Sequence, residues 1–138
     1  MNIRAFADAD AADVAALWSD IFPDPRAWNQ AAAYIARKRG TQRELFLVGE
    51  DAGRIMATVL AGYDGVRGWI YHLAVAPSAR RRGHGAALMR AAEAALAARG
   101  CPKVNLQVVA ENAGVVRFYE RLGYAVEPRV SMGKVLAS

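Results

Sequence analysis

Apolar residues along this chain fall into runs of two periods, separated by glycine and proline. Val14, Leu17, Trp18 and Ile21 recur at helical spacing, behind Asp10 as a candidate N-cap and Asp13 in the first turn. They predict a helix from about residue 11 to Phe22, ended by Pro23-Asp24-Pro25. A second helix is predicted over Trp28 to Arg39, stopped at Gly40, with Arg37-Lys38-Arg39 at the end of the dipole that favours cations. Asn2 to Phe6, Glu44 to Glu50, Ile55 to Tyr63 and Trp69 to Val75 read as strands. Asp51-Ala52-Gly53 and Asp64-Gly65 supply the turns between the later ones. The Ala-rich stretch from Gly85 predicts a third helix, closed by Gly100 and Pro102. Val104 to Val109 reads as a strand. Asn112 caps a short helix ending near Leu122, with Gly123 as its C-terminal glycine. Two short strands are expected last, over Tyr124 to Glu127 and Val130 to Val135. The order β-α-α-β-β-β-α-β-α-β-β predicts an α/β (α+β) fold, a mixed sheet with helices on both faces.

One strand-to-helix junction carries unusual chemistry. Arg80-Arg81-Arg82-Gly83-His84-Gly85 follows the Trp69 to Val75 strand and opens the Ala-rich helix. A glycine pair there admits turn dihedrals closed to other residues and lets a ligand approach the backbone. The first helical N–H groups lack internal partners and carry the positive end of the dipole. The junction is therefore suited to an anion such as phosphate. A nucleoside triphosphate loop would need Gly-Lys-Ser/Thr, which His84-Gly85-Ala86 does not supply. A dinucleotide fingerprint starting at Gly83 would need a small residue at position 88, where Leu88 stands.

The spacing that fits is R-x-x-G-x-G, at Arg80, Gly83 and Gly85. Here the chain resembles the GNAT superfamily of N-acyltransferases, whose acetyl-CoA pyrophosphate loop has this form. Leu73-Ala74-Val75-Ala76-Pro77 resembles the end of that family's fourth strand. Asn112 and Phe118-Tyr119-Glu120-Arg121-Leu122-Gly123-Tyr124 resemble its later motif. The likeness covers residues 69 to 124. It implies a mostly antiparallel sheet of six to seven strands and a single N-acetyltransferase domain over 1-138.

Composition narrows the class. The chain has 138 residues, 54% hydrophobic and 22% charged, long enough for one domain with a core. No apolar run is long enough to cross a membrane. The N-terminus lacks a signal-peptide core, and the single Cys101 excludes an internal disulfide, so a cytoplasmic location is expected. Net charge is +5, but the one dense basic run is Arg80 to Arg82, which the anion loop accounts for; no nucleic-acid partner is expected.

The resemblance implies acetyl transfer from acetyl-CoA, as cosubstrate, to a primary amine by direct attack in a ternary complex. No metal is required. By resemblance, backbone groups of Leu73, Ala74 and Val75 hold the pantetheine arm and acetyl carbonyl. Arg80, Arg81, Arg82, Gly83, His84, Gly85 and Ala86 form the pyrophosphate loop, and Asn112 contacts the arm while capping its helix. Tyr119 protonates the departing thiolate; a phenol with a reference pKa of about 10 keeps its proton at neutral pH. Trp28, Asn29 and Tyr71 are candidates for the acceptor pocket. Arg26 and Arg129 are candidates for holding a substrate carboxylate. No general base is assigned: alternation puts Trp69, Tyr71 and Leu73 on one side of their strand and His72 on the other, unless a bulge re-aims it. Glu44, Asp64 and a water relay are alternatives. The acceptor is a small molecule or a peptide or protein amine, and a homodimer is left open. The rival reading is a non-catalytic acyl-CoA-binding or regulatory module.

Overall fold

A computed structural model describes residues 1–24, 26–109 and 112–136. They form two compact units, 1–106 and 107–138. Pro25, the middle of the predicted first break, lies outside the described residues.

The first unit is built on a five-stranded sheet in the order β1-β2-β3-β4-β5. The strands are β1 (Asn2–Ala5), β2 (Phe46–Asp51), β3 (Arg54–Tyr63), β4 (Gly68–Val75) and β5 (Val104–Leu106). The first four pair antiparallel, and β5 joins β4 in parallel. Helices α1 (Ala11–Ile21) and α2 (Ala31–Lys38) follow β1, and α3 (His84–Ala98) bridges β4 and β5. The second unit holds α4 (Ala113–Arg121). The fold is thus a mixed α/β arrangement with a mostly antiparallel sheet, as expected.

Strand alternation divides the core. Phe46, Val48, Leu60 and Ala74 join Val14 and Trp18 of α1 and Ile35 of α2 in one buried cluster. Leu47, Ala57, Val59 and Ala61 alternate with these residues and point to the opposite face, which α3 covers with Leu88, Met89, Ala92 and Leu96. Phe6, Phe46 and Trp18 stack in sequence, with ring centroids 4.3 and 5.7 Å apart.

One hydroxyl links helix, sheet and an irregularity of β4. Thr58 is fully buried. Its Oγ accepts the indole N–H of Trp18 at 2.8 Å and donates to the carbonyl of His72 at 2.9 Å. His72 lies where the β3–β4 register slips: Thr58 faces Ala74 and Leu60 faces Tyr71, so Val59 alone opposes His72 and Leu73. This is a β-bulge, and His72 adopts a left-handed φ of 48°.

Four expectations change. The strand predicted over Val104 to Val109 ends at Leu106, where its pairing with β4 stops. The second helix is shorter than predicted, because Ala27–Asn29 forms a separate 3-10 turn before it. Asp10 does not cap α1 with its side chain; its carboxylate accepts the backbone N–H of Ala7 and both guanidinium NH2 groups of Arg4, a stronger charge-assisted partner. Among the described residues the two final strands are absent and the sheet has five strands, where six or seven were expected. Residues 124–136 contain no regular element, and Val126, Val130, Met132 and Leu136 project outward. Alternation marks a segment that could sit in a sheet, but a strand exists only with a hydrogen-bonded neighbour.

Thr58→Val keeps the shape of the side chain but strands the Trp18 N–H and the His72 carbonyl without a partner. Chemical denaturation should show a loss of about 1–3 kcal/mol, the cost of buried polar groups left unpaired. Thr58→Ser, which keeps the hydroxyl, should lose about 1 kcal/mol or less for the missing methyl. Equal stability of the valine variant and wild type would contradict the role given to the hydroxyl.

Candidate functional site

In the first unit, the candidate chemistry is set by how β4 ends. β5 matches β4 over three pairs only, Gly68–Val104, Trp69–Asn105 and Ile70–Leu106. From Tyr71 to Val75 the edge of β4 away from β3 has no strand of that unit against it. Leu73, Ala74 and Val75 all lie on this stretch. The Ala74 side chain is buried in the core, so packing fixes the strand while the edge backbone stays unpaired by β5.

The chain then turns sharply. Pro77–Ala79 forms a 3-10 turn, with Ala79 buried as its anchor. The Nε–H of Arg80 donates to the carbonyl of Val75 at 3.1 Å, tying the loop back to the end of β4. Arg81 has a φ of 65° and Gly83 a φ of 77°, both left-handed. Gly83 is the N-cap of α3, which starts at His84, one residue before the predicted start. The N–H groups of His84, Gly85 and Ala86 occupy its first turn and have no acceptor within the helix. Exposed Arg80, Arg81 and Arg82 stand in the loop that leads into it.

On the face that α1 and α2 cover, the bulge turns the His72 ring inward. It lies 4.7 Å from the Trp18 ring, 4.6 Å from Phe22 and 4.3 Å from Tyr34. Burial pushes His72 down to about 4 and the Tyr34 phenol up to about 12. His72 is therefore a neutral imidazole at physiological pH. It lines a cleft of about 430 Å³ with Trp18, Ser19, Phe22, Asp24, Asn29 and Gln30. The Asp24 carboxylate accepts N–H groups from Arg26 and Asn29 and is held well below the usual carboxylate range.

Of the three predicted acceptor residues, Asn29 lines this cleft. Trp28 is half-buried beneath the Arg26 guanidinium, 4.8 Å from its ring centre, and Tyr71 is 48% exposed opposite Leu60. Two carboxylates weighed as bases have other partners. Glu44 pairs with Arg99, and Asp64 accepts the backbone N–H groups of Val66 and Arg67 in the β3–β4 turn. Phe22 and Asp24 were not singled out by the sequence, because they read there as the end of a helix.

In the second unit, Asn112 caps α4 as expected, its Oδ1 accepting the Val115 N–H at 3.3 Å. Tyr119 packs edge-on against Phe118 and Tyr124, at 5.1 and 5.8 Å between ring centres. Burial pushes its phenol up to about 12, so it remains protonated. Among the described residues no group of His, Cys, Asp and Glu could hold a metal ion, and no helix is long and apolar enough to cross a membrane.

Comparison with known proteins follows the same lines. The profile of the "Acetyltransferase (GNAT) family" matches residues 11–124. An acetyltransferase of Yersinia enterocolitica is 42% identical over 138 residues, spanning 99% of this chain and 96% of that one. Among solved structures, Ard1 of Thermoplasma volcanium superposes with a TM-score of 0.82 at 25% identity, over 91% of this chain and 83% of that one. The aminoglycoside acetyltransferase AAC(6')-Iy, solved in complex with a bisubstrate analogue joining CoA to acetylneamine, gives 0.81 at 16% identity, over 99% and 98% of the two chains.

The half-buried, neutral His72 predicts how stability follows pH. Its folded pKa of about 4 lies below the 6.5 of the free side chain, so between these values the unfolded chain binds the extra proton. The contribution is complete above pH 6.5 and is lost as pH falls toward 4. Urea denaturation across this window should show a steeper fall for wild type than for His72→Asn, a residue that tolerates the left-handed backbone. Parallel curves for the two proteins would contradict the burial argument.

Proposed function

The chain belongs to the acetyltransferase (GNAT) family, and from that premise we propose that it transfers the acetyl group of acetyl-CoA to a primary amine held beside it. The observation that carries this reading is the β4 edge from Tyr71 to Val75, which runs without a β5 partner into the loop capped by Gly83. An extended thioester arm can lie along such an edge as a strand would. The first turn of α3 then receives its pyrophosphate.

Each residue has a role in this reading. Backbone groups of Leu73, Ala74 and Val75 hold the arm. An N–H aimed at the thioester carbonyl stabilises the oxyanion that forms on attack, worth about 3 kcal/mol for one such donor. His84, Gly85 and Ala86 offer N–H groups to the pyrophosphate, with Arg80, Arg81 and Arg82 adding positive charge. Asn112 contacts the arm. The neutral amine forms its bond to the carbonyl carbon, the carbon–sulfur bond breaks, and the thiolate takes a proton from Tyr119. The proton lost by the new amide nitrogen leaves to solvent, from which the Tyr119 phenolate takes one back. Two features of the chain support the assignments: the family's profile spans residues 11–124, which include them, and the half-buried Tyr119 phenol keeps its proton at neutral pH. Asn29 joins the acceptor pocket; Trp28 and Tyr71 flank it in this reading.

Tyr119→Phe removes the proton donor and keeps the ring. Steady-state kinetics should show kcat lower by about 10²–10⁴, the usual scale of general acid catalysis. Acetyl-CoA affinity and melting temperature should hardly move. Unchanged kcat with chemistry rate-limiting would return Tyr119 to a packing role. Tight acetyl-CoA binding by wild type without turnover on any amine would mark a binding module instead.

A further inference from the structure

The acceptor's chemical class follows from what the cleft beside β4 contains. Its walls are aromatic: Trp18, Phe22 and His72, with the Trp18 and Phe22 ring centroids 4.7 and 4.6 Å from that of the imidazole. Among its described lining residues Asp24 is the one charged group. Its carboxylate is already occupied. Oδ1 accepts the Arg26 backbone N–H at 3.0 Å and the Arg26 Nε–H at 2.9 Å, while Oδ2 accepts Arg26 Nη2–H at 2.5 Å and the Asn29 amide at 2.7 Å. No Lys or Arg is among those lining residues, so a substrate carboxylate finds no cation inside.

We propose that the amine acceptor is a small monoamine with an apolar or aromatic body, seated between Trp18, Phe22 and His72. The proposal rests on the acetyl-transfer reading and specifies its second substrate. The cleft's volume of about 430 Å³ is that of a small-molecule site. A polycation entering it would lose the hydration of several ammonium groups and meet no free carboxylate in return. A single ammonium is different. Aromatic faces offer one cation about 0.5–2 kcal/mol, enough to admit one amine head and not several. Burial beside these rings also favours the uncharged amine that attack requires, by the same desolvation that keeps His72 neutral. The imidazole then accepts one amine N–H. Ser19 and Gln30 add neutral polar groups to the same lining.

The test uses the full chain with saturating acetyl-CoA and reads free thiol released. The acceptors are phenethylamine, spermidine, neamine and a short peptide with a free N-terminus. Phenethylamine should have a kcat/KM at least about tenfold above each of the others, a difference of about 1.4 kcal/mol. Phe22→Ala should raise the KM for phenethylamine. Ser19→Asp places an unpaired carboxylate at an exposed position of the lining, where folding is not at risk, and should shift the ratio toward spermidine. A preference for spermidine, neamine or the peptide would overturn the proposal while leaving acetyl transfer intact. So would a phenethylamine-to-spermidine ratio that Ser19→Asp leaves unchanged. Failure to acetylate any amine would remove the acetyl-transfer reading itself, and the proposal with it.

Discussion

The geometry of the first unit's site depends on the hydrogen bonds made by one buried hydroxyl. Thr58 takes the indole N–H of Trp18 and gives its own proton to the carbonyl of His72. An unpaired buried carbonyl at a bulge would cost folding energy. Thr58 meets that need and fastens the bulge to α1 in the same step. The bulge then sets two things at once: the imidazole turns toward α1 and α2, and the strand beyond it continues to Val75 with a shifted register.

Both halves of the proposed chemistry grow from that arrangement. On one side of β4, the edge past Ile70 is unpaired by β5 and leads through the Arg80–Val75 bond into the capped turn of α3. On the α1 and α2 face, His72 closes an aromatic cleft. An acyl donor on the edge and an amine in the cleft would meet at the bulged strand, so one irregularity positions both.

Much of this is legible in the sequence, for local reasons. Gly83 reads as a turn glycine before the helix because turn dihedrals and helix caps depend on a few adjacent residues, although the helix starts at His84 and Gly85 lies within it. Gly100 and Asn112 mark their helix ends for the same reason. The bulge at His72, open at the sequence level only as an alternative, does not follow from alternation, because it is a mismatch of register between two strands; alternation along β4 alone assigns His72 to the wrong side. Tyr124 to Glu127 and Val130 to Val135 mislead in the opposite way: their alternation is real, yet no neighbouring strand takes up their backbone groups. Asp24 reads as a helix stop, and only the folded connection brings it beside Asn29 at the cleft.

In the proposed function the backbone of β4 past the bulge receives the acetyl-CoA arm. Amide hydrogen exchange at Leu73, Ala74 and Val75, measured with and without saturating acetyl-CoA, tests it most directly. At least one of these amides should slow by about tenfold or more on binding, while Ile70, already within the β4–β5 pairing, changes little. Exchange at all three that stays the same, with acetyl-CoA shown by calorimetry to be bound, would contradict it.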